Sequence, residues 1–139
     1  MDAPGPRRIL IVDDEPGLRQ SLRLALLARD RRIDVAASGE EALRLEAENE
    51  YEVIVADLMM PGLSGLDLLR ALRQRGAQAR LVLISGYGTI DAAEKAVALG
   101  AFDFVAKPFM PAEIRSVVER ALNFRPEPVN PGGGCDLSG

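Results

Sequence analysis

Short apolar runs alternate with longer stripes of helical period five times along this chain, and that alternation most restricts what it can fold into. Ile9-Leu10-Ile11-Val12, Val53-Ile54-Val55-Ala56 and Leu81-Val82-Leu83-Ile84 are continuously apolar, as strands covered on both faces are. Ile33-Asp34-Val35-Ala36 and Phe102-Asp103-Phe104-Val105 are each interrupted by an Asp, so one side of each can meet water. Strands one, three and four are therefore predicted to be central, and strands two and five to be edges. That is an α/β fold with a doubly wound, five-stranded parallel sheet of order 2-1-3-4-5 and helices in the crossovers.

The intervening segments carry helix signals. Leu18, Leu22, Ala25 and Leu26 form one stripe in the first, with Arg19 and Arg23 facing away. Ser38 and Glu41 have the spacing of a capping box at the start of the second. Leu66, Leu69 and Leu72 line the third, which Gly76 can stop. The fourth is predicted from about Thr89 to Leu99, with Gly100 as its cap. Pro111 opens the fifth, whose stripe is Ile114, Val117, Val118, Ala121 and Leu122 and whose pattern ends near Asn123.

A chain of 139 residues fits one domain with a real core. Residues 7–123 are read as that domain, 1–6 as an N-terminal extension, and the Pro/Gly-rich 124–139 as a tail, a linker or a cloning remnant. No apolar run is long enough to span a bilayer and the N-terminus lacks the apolar centre of a signal peptide, so a soluble, cytoplasmic protein with no membrane contact is expected. The net charge is −4, which disfavours a sequence-independent grip on nucleic acid. The one dense basic cluster, Arg29-Asp30-Arg31-Arg32, is read as a solvated face at a helix end. There is no His, one Cys (Cys135), and only two of the 17 cations are lysines, Lys95 and Lys107. Catalytic triads containing His, common zinc frameworks and intrachain disulfides are excluded.

Ligands of open parallel sheets sit at the carboxyl ends of the strands, near the point where strand order reverses. Asp13, Asp14 and Glu15 follow the first strand, Asp57 the third, Ser85 the fourth and Lys107 the fifth. Taken singly each has a plainer reading: a helix cap for Asp13 and Asp14, a turn residue for Asp57, loop chemistry for Ser85 and a surface lysine for Lys107. Their joint position on one sheet edge is what the plainer readings leave unexplained. Carboxylates gathered there repel one another, and an oxygen-only donor set suits a hard cation, Mg²⁺ or Mn²⁺ in its place. A carboxylate beside such a cation can attack phosphorus to give an aspartyl phosphate, with Lys and Ser placed for the phosphoryl oxygens.

Val12-Asp13-Asp14-Glu15-Pro16, Asp57-Leu58-Met59-Met60-Pro61-Gly62 through Gly65, Ser85-Gly86 and Lys107-Pro108-Phe109 carry a resemblance. From about Arg7 to Asn123 the chain resembles the receiver domain of bacterial two-component response regulators, a family of flavodoxin-like fold. Ser85-Gly86-Tyr87-Gly88-Thr89-Ile90-Asp91-Ala92-Ala93 is similar to receivers of NtrC-type transcription activators. The resemblance implies that Asp57 is the phosphoacceptor and that Asp14, Asp57 and the Met59 backbone carbonyl contact Mg²⁺, Asp13 acting mainly through water. It implies that Lys107 pairs with the phosphoryl group, that Ser85 swings towards it, that Phe104 is the switch aromatic, and that the Lys107-Pro108 bond is cis. Met59 and Tyr87 would flank the site and tune hydrolysis, without making the domain a rapid self-dephosphorylator.

The implied partner is a sensor histidine kinase or a histidine phosphotransfer protein, since the chain has no His of its own. The domain would catalyse its own phosphorylation and dephosphorylation as a signalling receiver, not as an enzyme acting on another substrate. The readout would be a population shift on the surface of the fourth helix, fifth strand and fifth helix, a possible homodimer face. Transcription regulation and any DNA contact would belong to an output domain beyond the C-terminus. A haloacid-dehalogenase-type phosphatase is disfavoured because Met59 stands where that family has a second Asp. A nucleotide switch is disfavoured because the first strand leads into Asp-Asp-Glu-Pro and not a glycine-rich loop. A receiver that only binds protein is the third alternative, which Mg²⁺ titration would separate.

Overall fold

The computed structural model describes residues 6–86 and 88–124. Five strands and five helices alternate as β1(Arg7–Val12), α1(Pro16–Leu26), β2(Arg31–Ala36), α2(Gly39–Asn49), β3(Val53–Asp57), α3(Gly65–Gln74), β4(Arg80–Ser85), α4(Ile90–Ala98), β5(Asp103–Ala106) and α5(Pro111–Asn123). All strand pairs are parallel and the order is β2-β1-β3-β4-β5, with the two Asp-interrupted runs at the edges as expected.

Two cores form because successive side chains of a strand point to opposite faces. Leu10, Ile54, Leu81 and Leu83 pack with Leu68, Leu69, Leu72, Ala93 and Ala96 on the side of α2, α3 and α4. Ile9, Ile11, Val53, Val55, Val82 and Ile84 pack with Leu22, Leu26, Ile114 and Val118 on the side of α1 and α5. The Asp in each edge strand has a partner. Asp34 accepts from the Tyr51 hydroxyl at 2.6 Å, and Asp103 from Arg120 at 3.1 Å.

Four local readings change. In the basic cluster Arg29, Asp30 and Arg32 are exposed, as expected of a solvated face, but the cluster lies past α1, which stops at Leu26, and Arg31 departs from the reading: it opens β2 opposite Arg7. Its side chain is 5% exposed, bonded to Asp30 at 3.0 Å and Glu119 at 2.6 Å, the pairing that a buried guanidinium needs. Arg19 does not face away from the fold; it donates to the Asp13 carbonyl at 2.7 Å. At α2, Ser38 accepts from the Glu41 N–H, but Glu41 accepts from Ala37 instead of Ser38. The reciprocal box sits at α3, between Ser64 and Asp67. In the α3 stripe Leu66 is half-buried, and the fully buried position beside Leu69 and Leu72 is Leu68.

α5 ends at Asn123, and the next residue still packs. The Phe124 ring meets Phe102 edge-on at 5.6 Å and lies under the Arg80 guanidinium. The predicted extension and tail otherwise lie outside the described residues, apart from Pro6.

Candidate phosphoacceptor site

The adjacent pairing of β1 with β3 and of β3 with β4 brings the strand-end residues to one crevice. Asp57, the last residue of β3, is buried with 7% exposure. Its Oδ1 accepts from the Met59 backbone N–H at 2.9 Å and its Oδ2 from the Lys107 ammonium at 2.9 Å. Asp13, just past β1, is 1% exposed. Its Oδ1 accepts from the Glu15 N–H at 2.8 Å, while Oδ2 is buried and has no hydrogen-bond partner among the described residues.

The charges explain themselves from this geometry. Burial pushes the Asp13 carboxyl up to about 6; the bond from Glu15 opposes this, and the neighbouring Asp57 charge reinforces it. Burial works against the Lys107 ammonium, but the hydrogen bond to Asp57 and the charges of Asp57, Asp13 and Glu15 outweigh it. Its pKa therefore lies above the ordinary lysine range.

Asp14 is exposed on the same loop, and no three carboxylates among the described residues are spaced to enclose a metal ion. The buried acids of the crevice are therefore two, Asp13 and Asp57, while Asp14 is open to solvent. Two carboxylates, one with an orphaned oxygen, still fit Mg²⁺, which binds through few protein groups and keeps several waters. The orphaned Asp13 oxygen is the observation that decides the fit, since a buried unpaired carboxylate is costly unless a cation or proton meets it.

Ser85 ends β4 and is fully buried. Its hydroxyl lies 2.6 Å from that of Thr89, and its carbonyl accepts from the Lys107 N–H at 2.8 Å. Phe104 is half-buried against the α2–α4 core. Met59 is 62% exposed. The Lys107-Pro108 bond is cis. Tyr87 lies outside the described residues.

Gly65 sets how closely α3 approaches this crevice. A Cβ there would lie 2.8 Å from the Asp57 carbonyl and 2.9 Å from the Leu58 Cα, which backbone cannot yield. Sequence reasoning missed Thr89 and Arg19 as neighbours of the site. The only signal for Thr89 was a hydroxyl at the head of α4, four residues after Ser85.

The family model described as "Response regulator receiver domain" matches residues 9–119. The chain belongs to the response regulator receiver family. Among curated relatives, this receiver is 36% identical to the response regulator protein PilR of Pseudomonas aeruginosa over 119 residues, 86% of this chain and 27% of PilR. It is 32% identical to the DNA-binding transcriptional regulator NtrC of Escherichia coli over 123 residues, 88% of this chain and 26% of NtrC. The receiver thus spans about a quarter of the length of these two relatives. Among solved structures, the receiver domain of NtrX from Brucella abortus superposes with a TM-score of 0.79 at 32% identity, covering 84% of this chain and 99% of that one. A response regulator receiver domain protein from Clostridium thermocellum gives 0.78 at 30% identity, with 84% and 94% covered. Receivers are signalling domains, and no helix among the described residues of this one is long and apolar enough to cross a membrane.

Proposed function

We propose that this receiver accepts a phosphoryl group on Asp57 from a phosphohistidine of a separate kinase or phosphotransfer protein. The observation that carries the reading is Asp57 itself. It is a buried carboxylate at a strand end, held between a backbone N–H and an ammonium, beside an acid with one oxygen unpartnered among the described residues.

An Asp57 carboxylate oxygen attacks phosphorus, the P–N bond to the donor imidazole breaks, and the imidazole leaves with its electron pair. The Met59 N–H and Lys107 orient the carboxylate for that attack. Asp13, Asp14, Asp57 and the Met59 carbonyl would hold Mg²⁺. When bound, the cation neutralises the paired carboxylates and the charge of the transferring group.

After transfer, Lys107 and Ser85 gain charge-assisted bonds to the phosphoryl oxygens. The response spreads to α4, β5 with Phe104, and α5, the face proposed for homodimerisation or for contact with an output domain. A cytoplasmic location accords with a kinase donor. Any action on DNA belongs to sequence outside this domain, whose net charge of −4 offers little to phosphate backbones.

Incubation with Mg²⁺ and a small acyl phosphate should add one phosphoryl mass to the wild type and none to Asp57→Asn. Equal labelling of the two would overturn the assignment.

A further inference from the structure

We propose that Thr89 is a positioning residue for Ser85, which it holds in the unphosphorylated domain and releases to cap α4 when a phosphoryl group occupies Asp57. The inference rests on Asp57 as acceptor and goes beyond it, to what Ser85 leaves behind when it turns.

The hydrogen bonds of this corner can be assigned by proton count. The Gly86 carbonyl only accepts. It lies 2.7 Å from the Thr89 hydroxyl and 3.5 Å from the Ser85 hydroxyl, and only the first is a normal O–H···O distance. Thr89 therefore donates its one proton to Gly86. The 2.6 Å contact between the two hydroxyls must then be Ser85 donating to Thr89. A hydroxyl has a single proton, so Ser85 cannot donate to a phosphoryl oxygen without leaving Thr89.

The backbone around Ser85 leaves only its side chain to move. Ser85 pairs with Ala106 in the sheet, Lys107 donates to its carbonyl, and the preceding Ile84 pairs with Asp57. Rotation of the side chain transfers the Ser85 proton from one acceptor to another, with no covalent change.

Thr89 stands at the N-cap position of α4 but does not cap it. Its backbone is at φ −116°, ψ 15°, and its side chain bonds to none of the first-turn N–H groups. The same chain shows what a capping hydroxyl requires. Ser38 and Ser64, at ψ 164° and 172°, each accept from the N–H three residues on. Extended backbone is the usual condition for such a bond. Once Ser85 departs, the Thr89 oxygen loses its donor, and rotation of ψ to the extended range recovers one from Asp91 or Ala92. The first turn of α4 is thereby ordered by the event at Asp57.

The test follows amide hydrogen exchange at Asp91 and Ala92 by NMR, with Mg²⁺ and acetyl phosphate, alongside intact mass. In the wild type, loading of Asp57 should raise protection there by about 5-fold, the scale of one N-cap bond. Thr89→Val, which keeps the shape and loses the hydroxyl, should gain the phosphoryl mass without that rise. Thr89→Ala, which needs no extra space, should behave alike, and Thr89→Ser should restore the effect. A wild-type rise in Thr89→Val, or none in Thr89→Ser, overturns the proposal while leaving Asp57 as acceptor intact. Absence of mass gain in the wild type overturns the reading of Asp57 and this inference with it.

Discussion

Asp13 is the residue at which the metal-free domain works against its own stability. Its carboxylate is buried, has one oxygen without a partner among the described residues and faces Asp57. A carboxyl whose folded pKa of about 6 exceeds its unfolded value binds protons more tightly when folded. It destabilises the fold above pH 6, and that cost is relieved as the pH falls from about 6 towards about 4. Asp13→Asn should therefore stabilise the metal-free protein at pH 7 by roughly 1–3 kcal/mol. The advantage should shrink when urea unfolding in EDTA is repeated at pH 5. Equal midpoints for mutant and wild type at pH 7 would contradict the burial argument. Lys107 is the counterpart: in a chain that uses Arg for nearly every cation, the compact ammonium of a Lys meets Asp57, and a planar guanidinium is no substitute there.

At the scale of elements, the loop between β3 and α3 shows how a helix start is fitted to a site. Ser64 caps α3 through a reciprocal box with Asp67, and the Gly65 N–H donates to the Leu58 carbonyl at 2.9 Å. The helix can come this close only because Gly65 lacks a side chain. Gly65→Ala should lower stability by about 1–3 kcal/mol through overpacking, measured as a drop in urea midpoint. It should also slow phosphoryl uptake from acetyl phosphate, since the Asp57 carbonyl and Leu58 must shift to admit the methyl. A stability equal to wild type would show that the approach is looser than described.

For the whole molecule, one sheet serves two cores, so the halves cannot come apart independently. Leu22 and Leu68 lie on opposite sides of that sheet, at 1% and 0% exposure. Leu22→Ala and Leu68→Ala should each cost about 2–5 kcal/mol. In both variants the unfolding followed by circular dichroism should coincide with that followed by tyrosine fluorescence. A second transition in either variant would mean that the two faces are separate cooperative units.

Apolar continuity and its interruption separated the central strands from the edges, a split that the doubly wound order 2-1-3-4-5 matches, because a carboxylate in mid-strand is solvated more readily at an edge. The same pattern delimited α5 at Asn123 and put Asp13, Asp57, Ser85 and Lys107 on one sheet edge, since position after a strand follows from the strand order. Side-chain pairing was not legible in this way. The burial of Arg31 between Asp30 and Glu119 depends on α5 passing β2, 88 residues away in sequence. Which acids face each other was likewise decided in three dimensions: Asp13 turns inward with an unmatched oxygen and Asp14 outward, a distinction that adjacent identical residues cannot carry. The Ser85–Thr89 contact depends on the path of the loop into α4. Sequence determined the topology because burial is a property of each segment; only the tertiary structure decided the partners, because a hydrogen bond or ion pair is a property of two.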